Sequence, residues 1–300
     1  MKKYRLYQID SFTKDKFTGN PAGVITNADG LTESDMQKIA RELNNSETAF
    51  VFSSDTADYN VYIRYFTPTK EVPICGHATI AAHYALAVEN NLDTTRIKQK
   101  SGAGILPVDI IKKNDDYKIV MTQGKIEFGM YIEDENKKAL LSALGINGND
   151  LLENCPIQIV STGHSKVMIG IKSNTILNQL KPNYNALSQL SEIIECNGYY
   201  VFTQDSKDEN ILVEGRMFAP AIGINEDPVT GNANGPLGAY LIHHKVVRHN
   251  KSLFRFSAKQ GEAIGRMGII EVEVSIEDEE PIEIKISGEA VTVFQSELVI

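Results

Sequence analysis

Long apolar runs, paired cysteines and histidine metal motifs are all missing from this chain of 300 residues. No stretch of 18 or more apolar residues occurs, and the opening residues MKKYRLYQID lack the apolar segment that a secretory signal needs. Three cysteines without a CxxC spacing indicate neither a disulfide framework nor a zinc site. We therefore expect a cytoplasmic protein with free thiols and no membrane partner.

Positive charge is also scarce. The 30 Lys and Arg residues are outnumbered by 39 Asp and Glu residues, which leaves a formal net charge of −9. Because nucleic acid and anionic membranes both require a basic face, neither is expected as a partner. No HExxH-type spacing occurs, and His243 and His244 would point about 100° apart on a helix, so no metal is expected. A small anionic metabolite remains compatible, since local backbone amides can outweigh net charge.

The most informative feature that is present is an internal repeat. Residues 75–86, CGHATIAAHYAL, resemble residues 230–241, TGNANGPLGAYL. A Phe-Thr-Pro turn at 66–68 leads to the first copy, and a Phe-Ala-Pro turn at 218–220 leads to the second. The copies lie roughly 155 residues apart, which is too far for a solenoid repeat. Two domains of common ancestry, spanning 1–125 and 126–300, account for the repeat. Whether the last strand, around residues 291–293, returns to the first domain is left open by the sequence.

Each copy is entered through a proline segment that carries a carboxylate. Glu71 precedes Pro73 by two residues, and Asp227 precedes Pro228 by one. The carboxylates thus stand just before a helix in both halves.

Hydrophobic periodicity predicts similar elements in both halves. The first half has predicted strands at 4–10, 23–25, 48–53, 59–66, 105–111 and 117–121, and helices at 32–43 and 78–90. The second has predicted strands at 157–160, 166–172, 198–203 and 211–218, and helices at 184–194 and 233–247, followed by hairpins. Helix 78–90 is apolar on nearly every side, which is typical of a helix buried all round. The prediction is a mixed α/β fold with a sheet wrapped around a central helix in each half.

Gly76 and Gly231 each stand at a turn into a predicted helix. The amides of residues 77–79 and 232–234 would then be the donors of two helix N-termini, which favour an anion. If the halves face each other about a pseudo-twofold axis, both N-termini point into one cleft that suits a substrate carboxylate. The alternative interpretation is that the two glycines only permit close packing of the helices.

Glu47 stands between a helix that ends at 44–45 and a strand that begins at Thr48. A carboxylate at such a junction can be partly desolvated, which raises its pKa towards the range useful for taking and returning a proton. The alternative is that Glu47 is a solvated turn residue like many of the other acidic residues.

Five motifs together resemble the phenazine-biosynthesis F protein (PhzF) family, which has the diaminopimelate-epimerase-like fold. They are NSETAF at 45–50, CGHAT at 75–79, EDPVTGNA at 226–233, DSF at 10–12 and GNPAGV at 19–24. The match runs in order over nearly the whole chain. The resemblance implies two similar α/β domains, each a sheet closed around a central helix, with an interdomain active site. It also implies no cofactor and a homodimer.

The resemblance assigns a role to each matched residue. Glu47 resembles the proton-shuttling glutamate, His77 the assisting histidine and Asp227 the second carboxylate. The substrate-binding positions are Ser46, Gly76, Ala78, Thr230, Gly231 and Asn232. The implied reaction is an isomerisation of a small carboxylate-bearing metabolite, such as dihydro-hydroxyanthranilate. A neutral His77 is expected because the positive end of a helix dipole disfavours its charged form; the alternative is a capping histidine without substrate contact.

Departures from the family pattern leave alternatives open. Asn232 stands where the phenazine enzyme has Ser, and Asn234 replaces a frequent His, so the polar lining of the pocket is expected to differ. Cys75 stands at the first position of the thiol pair of the epimerase branch, but Thr230 stands at the second. Cys75 is either a reactive thiol or a small packed residue. The alternatives to an isomerase are an amino-acid epimerase or racemase that uses Glu47, and a small-molecule-binding protein.

Overall fold

The computed structural model describes residues 1–300, which form two compact units. The first unit comprises Met1–Thr122 and Ser287–Ile300, and the second comprises Gln123–Ile286. None of the helices combines the length and the apolar character that crossing a bilayer requires.

The elements of the first unit alternate strands with two helices. They are β1 (Lys3–Ser11), β2 (Asn20–Ile25), α1 (Glu33–Leu43), β3 (Glu47–Ser53), β4 (Val61–Phe66), β5 (Glu71–Val72), α2 (Gly76–Asn90), β6 (Thr95–Ser101), β7 (Gly104–Lys113) and β8 (Asp116–Thr122). The end of the last strand, β17 (Glu280–Val299), also belongs to this unit.

The second unit contains the remaining elements. They are β9 (Glu127–Tyr131), α3 (Asp134–Leu144), β10 (Gln158–Ser161), β11 (Lys166–Gly170), α4 (Asn174–Gln179), α5 (Tyr184–Ile194), β12 (Tyr199–Thr203), β13 (Val213–Ala219), β14 (Ile224–Asp227), α6 (Gly231–His243), β15 (Leu253–Gln260) and β16 (Gly268–Glu277). Short 3-10 turns lie at Gly148–Asp150, Pro220–Ile222 and Glu262–Ile264.

The sheet of the first unit closes into a barrel. β1 pairs antiparallel with β2, β2 parallel with β3, β3 antiparallel with β4 and β4 parallel with β6. β6, β7 and β8 continue as antiparallel neighbours, and β17 pairs with both β1 and β8. Helix α2 packs against β1, β2, β3, β7 and β8. Ten of its side chains are buried, which explains why its sequence is apolar all round.

The second unit repeats this order of pairings. β10 pairs antiparallel with β11, β11 parallel with β12, β12 antiparallel with β13, β13 parallel with β15 and β15 antiparallel with β16. Helix α6 packs against β10, β11 and β16. The short strand β14 pairs with β13 as β5 pairs with β4. The repeat in the sequence therefore corresponds to a repeated strand order.

Local sequence signals account for the helix ends. Thr32 caps α1 through a capping box with Asp35, and Asn91 ends α2 in the left-handed conformation. Helix α6 begins at Gly231 and ends at His243, four residues before the predicted end, because Lys245 has a φ of 54°. Pro236 lacks the N–H that would bond to the carbonyl of Asn232, and the backbone of Asn232 is non-helical.

Several elements carry weaker signals and were not predicted. Most residues in the charged N-terminal half of strand β6 are exposed, so apolar and polar residues do not alternate clearly along it. Helix α3 begins without a side-chain cap after Glu133. The three cysteines are free and buried, which confirms the prediction of unpaired thiols.

Candidate functional site

Glu47 is the first residue of β3, and its carboxyl group is mostly buried. Its side chain is 14% exposed. Burial raises the pKa of Glu47 above its ordinary value, whereas hydrogen bonds from Ser46 and Cys75 oppose that shift. The direction agrees with the desolvation expected at this junction, because loss of hydration disfavours the ionised form.

His77, the second residue of α2, joins the side chains around this carboxyl. Its Nε2 lies 3.4 Å from Oε2 of Glu47 and 3.2 Å from Oγ of Ser46. Its Nδ1 lies 3.4 Å from Sγ of Cys75. The Ser11 hydroxyl donates to the His77 carbonyl at 2.8 Å and so fixes the first turn of the helix. The imidazole thus contacts Glu47 with one nitrogen and Cys75 with the other.

Hydrogen bonds to the Cys75 carbonyl fix the first turn of α2. The Cys75 carbonyl accepts hydrogen bonds from the Thr79 amide at 3.0 Å and the Thr79 hydroxyl at 2.7 Å. The Tyr65 hydroxyl lies 2.6 Å from that of Thr79. Cys75 occupies the N-cap without a side-chain capping bond. The amides of Gly76 and Ala78 therefore belong to a first turn that no cap side chain covers, and they can face an anion.

Glu47, Cys75 and His77 also form a set of potential metal ligands. Their ligand atoms lie within 4.8 Å of one another. Carboxylate, thiolate and imidazole are the ligand types that zinc uses. The search for ligand spacings in the sequence did not find this set, because Glu47 lies on β3, far in the chain from Cys75 and His77 at the start of α2. The expectation that the protein uses no metal stays a prediction.

Asp227 and Thr230 form the corresponding entry to α6. Asp227 is the last residue of β14, is buried, and accepts a hydrogen bond from the Thr230 hydroxyl. Thr230 is the N-cap of α6, but its hydroxyl is used by Asp227 and does not cap the helix. Gln260 accepts from the Thr230 amide at 3.1 Å and donates to the Asp227 carbonyl at 2.8 Å. Gln260, which was not predicted as a site residue, therefore fixes the Asp227 turn.

Asn234 belongs to the interior of this network. Its Oδ1 accepts from the Tyr200 hydroxyl at 2.6 Å, and its Nδ2 donates to the Thr230 carbonyl and to Gln260 Oε1, both at 3.0 Å. The side chain is fully buried. The amide oxygen and nitrogen of Asn234 are thus both bonded within the protein, and its effect on the lining of the pocket stays a prediction.

Asn232 differs from Asn234 because its Oδ1 is buried without a hydrogen-bond partner. The residue as a whole is partly exposed. Gln123 donates to the neighbouring Gly231 carbonyl at 2.9 Å and so supports the kinked first turn. Oδ1 of Asn232 is therefore an acceptor of this turn that no protein donor uses.

The residue of the second half that is equivalent to Glu71 is Glu226, not Asp227. Glu71 and Glu226 both stand two residues before a proline, and each binds an arginine through two hydrogen bonds. Arg64 binds Glu71 at 2.7 and 2.6 Å, and Arg216 binds Glu226 at 2.9 and 2.7 Å. The repeated carboxylate is thus structural, and Asp227 is an addition of the second half.

Comparison with known proteins connects these motifs to one family over almost the entire chain. The sequence model of the family described as phenazine biosynthesis-like protein matches residues 9–296. An uncharacterised isomerase of Clostridium acetobutylicum is 73% identical over 300 residues, covering 100% of this chain and 99% of the relative. The trans-2,3-dihydro-3-hydroxyanthranilate isomerase of Pseudomonas aeruginosa is 30% identical, covering 88% of this chain and 87% of the relative.

A solved structure confirms the predicted fold class. The crystal structure of a PhzF-family phenazine biosynthesis protein from Bacillus anthracis is 35% identical and superposes with a TM-score of 0.90. The match covers 100% of both chains.

Proposed function

Because the chain belongs to the phenazine biosynthesis-like protein family and its relatives support an isomerase, we propose that it isomerises a small carboxylate-bearing metabolite without a cofactor. In this proposal Glu47 carries the proton. The observation that supports it most directly is the buried Glu47 carboxyl, 3.4 Å from His77 Nε2, with a pKa raised by desolvation.

The proposed step moves a proton and a double bond within one molecule. Ionised Glu47 removes a proton from a carbon next to an unsaturated system, and the electron pair of that C–H bond shifts into the system. The proton on Glu47 exchanges with solvent, and Glu47 then delivers a proton to a different carbon, so nothing is oxidised or reduced. A base with a raised pKa suits both halves of this transfer. Trans-2,3-dihydro-3-hydroxyanthranilate, named for the Pseudomonas relative, is the first substrate to test.

Other residues would bind and orient the substrate. His77 and Ser46 stand beside the Glu47 carboxyl and can hydrogen-bond a substrate oxygen or amine whose charge changes as the double bond moves. Asp227 is proposed as the second carboxylate. Substrate contacts are proposed for the uncapped first turns, at Gly76, Ala78, Thr230, Gly231 and Asn232. A homodimer stays a prediction.

An epimerase or racemase is the second candidate, and the contact between Glu47 and Cys75 favours it. The Cys75 thiol hydrogen-bonds the Glu47 carboxyl, so two acid–base groups stand together. An epimerase would return the proton to the carbon from which it came and would change optical rotation. A binding protein that turns nothing over is the third candidate.

Solvent deuterium uptake tests the proposal. The wild type, Glu47→Gln and the control Glu42→Gln would be incubated in D2O with trans-2,3-dihydro-3-hydroxyanthranilate and small amino-acid carboxylates. Glu42 is exposed on α1 and serves as a matched loss of one carboxylate. We expect deuterium at a new carbon in the wild type and the control, and a loss of about 100-fold to 10,000-fold in Glu47→Gln.

Each other outcome identifies a different function. Exchange at the original carbon with loss of optical activity supports the epimerase. A compound that binds without any exchange supports the binding protein. Exchange that survives in Glu47→Gln contradicts the role of Glu47.

A further inference from the structure

Lys166 is a buried cation that the proposed mechanism does not use. It is the first residue of β11, and it is 6% exposed. Its Nζ donates to the Ser165 carbonyl at 3.1 Å and forms no ion pair. An ammonium has three donors, so most of its hydrogen-bonding capacity has no protein partner.

The repeated strand order relates the surroundings of Lys166 to those of Glu47. β3 pairs with β4 as β12 pairs with β13, and Phe66 and Phe218 are the first residues of the equivalent Phe-x-Pro turns. Phe66 pairs with the residue that follows Glu47, and Phe218 pairs with the residue that follows Gly198. Gly198 is therefore the equivalent of Glu47 in the second unit.

The strand that pairs in parallel with each of these positions is β2 in the first unit and β11 in the second. Ala22 on β2 pairs with Glu47 in a parallel register. The same register between β11 and β12 makes Lys166 the neighbour of Gly198. In the first unit the small residue Ala22 thus lies beside Glu47. In the second unit Lys166 lies beside Gly198.

Gly198 makes room for the lysine stem. A Cβ at position 198 would overlap Cδ of Lys166 and lie 2.7 Å from its Cε. The stem of Lys166 thus occupies the space that a side chain at the position equivalent to Glu47 would need. Its amine consequently comes from the same end of the strand pair as the carboxyl of Glu47.

The charge of Lys166 requires a partner. Burial lowers the pKa of Lys166 to about 8, although Cys196 and Asp227 oppose the shift. An ammonium buried without an ion pair costs folding free energy. The field of Asp227, in the same unit, offsets part of that cost. An anionic group on a ligand would offset more of it and would use the free donors of the amine.

We propose that Lys166 binds the carboxylate of the substrate directly and determines the preference for carboxylate-bearing ligands. The inference rests on the proposed function, because it assigns Lys166 to the binding of the same substrate. Gly198 acts as its positioning partner by leaving the stem its space. No other residue of the second unit proposed for the site carries a positive charge.

Two ligands that differ by one carboxylate test the proposal. 3-Hydroxyanthranilate is the aromatic analogue of the dihydro compound and has no proton to shift, and 2-aminophenol lacks its carboxylate. Calorimetric titration would measure the affinity of each ligand for the wild type, for Lys166→Met, for Gly198→Ala and for the control Lys138→Met. Lys138 lies on the surface of α3 and pairs only with the exposed Glu135. Lys166→Met keeps the length of the stem and removes a buried charge, so the variant should fold at least as stably.

We expect the wild type and Lys138→Met to prefer 3-hydroxyanthranilate by about tenfold to 100-fold, as for a hydrogen bond to a charged group. Lys166→Met should abolish this preference and leave 2-aminophenol binding unchanged. Gly198→Ala should weaken the preference because the new Cβ displaces the amine. A wild type that does not distinguish the two ligands overturns the proposal, as does a Lys166→Met variant that keeps the preference or loses both ligands equally.

Deuterium exchange separates this proposal from the proposed function. If exchange depends on Glu47 while Lys166→Met keeps the carboxylate preference, the assignment of Lys166 fails and the isomerase stands. If Lys166→Met loses the preference and no compound exchanges deuterium, the binding role of Lys166 stands and the isomerase fails.

Discussion

Nε2 of His77 lies 3.4 Å from Oε2 of Glu47, although the two residues belong to a helix and a strand that are separated in the chain by β4 and β5. The contact links a partly desolvated carboxyl to the first turn of α2. Because Glu47 is buried and its pKa is raised, its ionisation affects both stability and chemistry.

Replacing Glu47 by Gln should therefore change how stability depends on pH. The folded-state pKa of Glu47 is raised from the ordinary value of 4.5. Between pH 4.5 and the raised folded-state pKa, the folded chain binds more protons than the unfolded chain. The contribution of Glu47 to stability therefore falls as pH rises through this range. Glu47→Gln should remove that loss, so the stability of the variant should fall less than that of the wild type as pH rises. Chemical denaturation from pH 4 to pH 8 measures it, and parallel curves for both proteins would contradict the prediction.

The two repeated arginine pairs should differ in their effect on stability. The side chains of Arg216 and Glu226 are 7% and 6% exposed, whereas those of Arg64 and Glu71 are 19% and 38% exposed. Glu226→Gln leaves a buried guanidinium without its counterion and should cost about 3 to 5 kcal/mol. Glu71→Gln should cost less than about 1 kcal/mol. Urea denaturation of both variants makes the comparison, and equal losses would show that burial does not decide the effect.

The two asparagines at the start of α6 should separate stability from ligand binding. Asn234→Ala leaves the Tyr200 hydroxyl without its acceptor and removes one of the two hydrogen bonds to Gln260 Oε1, so we expect a loss of about 1 to 3 kcal/mol. Asn232→Ala removes an acceptor that has no partner in the protein, so it should cost little stability but weaken ligand binding. Thermal denaturation and calorimetric titration check the pair. A stable Asn234→Ala variant would count against the network.

Zinc should inhibit the enzyme reversibly by binding Glu47, Cys75 and His77. Their ligand atoms lie within 4.8 Å of one another, and the thiolate is a strong zinc ligand. Cys75→Ser should raise the inhibitory zinc concentration at least about tenfold. Deuterium exchange with added zinc and then with a chelator measures the effect. Cys155→Ser is the control, because Cys155 is buried elsewhere. Equal zinc sensitivity in both variants would exclude this site.

The sequence alone predicted much of the framework. Helix α5 was predicted at 184–194 and is observed at Tyr184–Ile194, because its apolar residues recur at helical spacing. The fold class and the family resemblance are confirmed. The raised pKa of Glu47 was inferred from a local signal, its place between a helix and a strand. Such features depend on near neighbours in the chain or on motifs.

Other features could not be read from the chain. The resemblance indicated that Asn232 and Asn234 would change the polar lining of the pocket, but it gave no sign of the hydrogen bonds that join Asn234 to Tyr200 and Gln260. Gln260 belongs to a segment, residues 259–261, that resembles residues 100–102 in the internal repeat, but the repeat gave no sign of its contacts with Asp227 and Thr230. The sequence offered Lys166 and Arg216 as possible substrate contacts of the second half without a role for either, and only the burial of Lys166 and the space beside Gly198 distinguish it.

The sequence by itself determined the family, the two related halves and the residues at the helix starts, because motifs and periodicity are properties of consecutive positions. The tertiary structure decided which carboxylates are structural, which asparagine has an acceptor to offer and where a lysine is buried. Those properties depend on solvent exposure and on partners that lie far apart in the chain. Only the fold brings His77 to Glu47 and leaves Lys166 room beside Gly198.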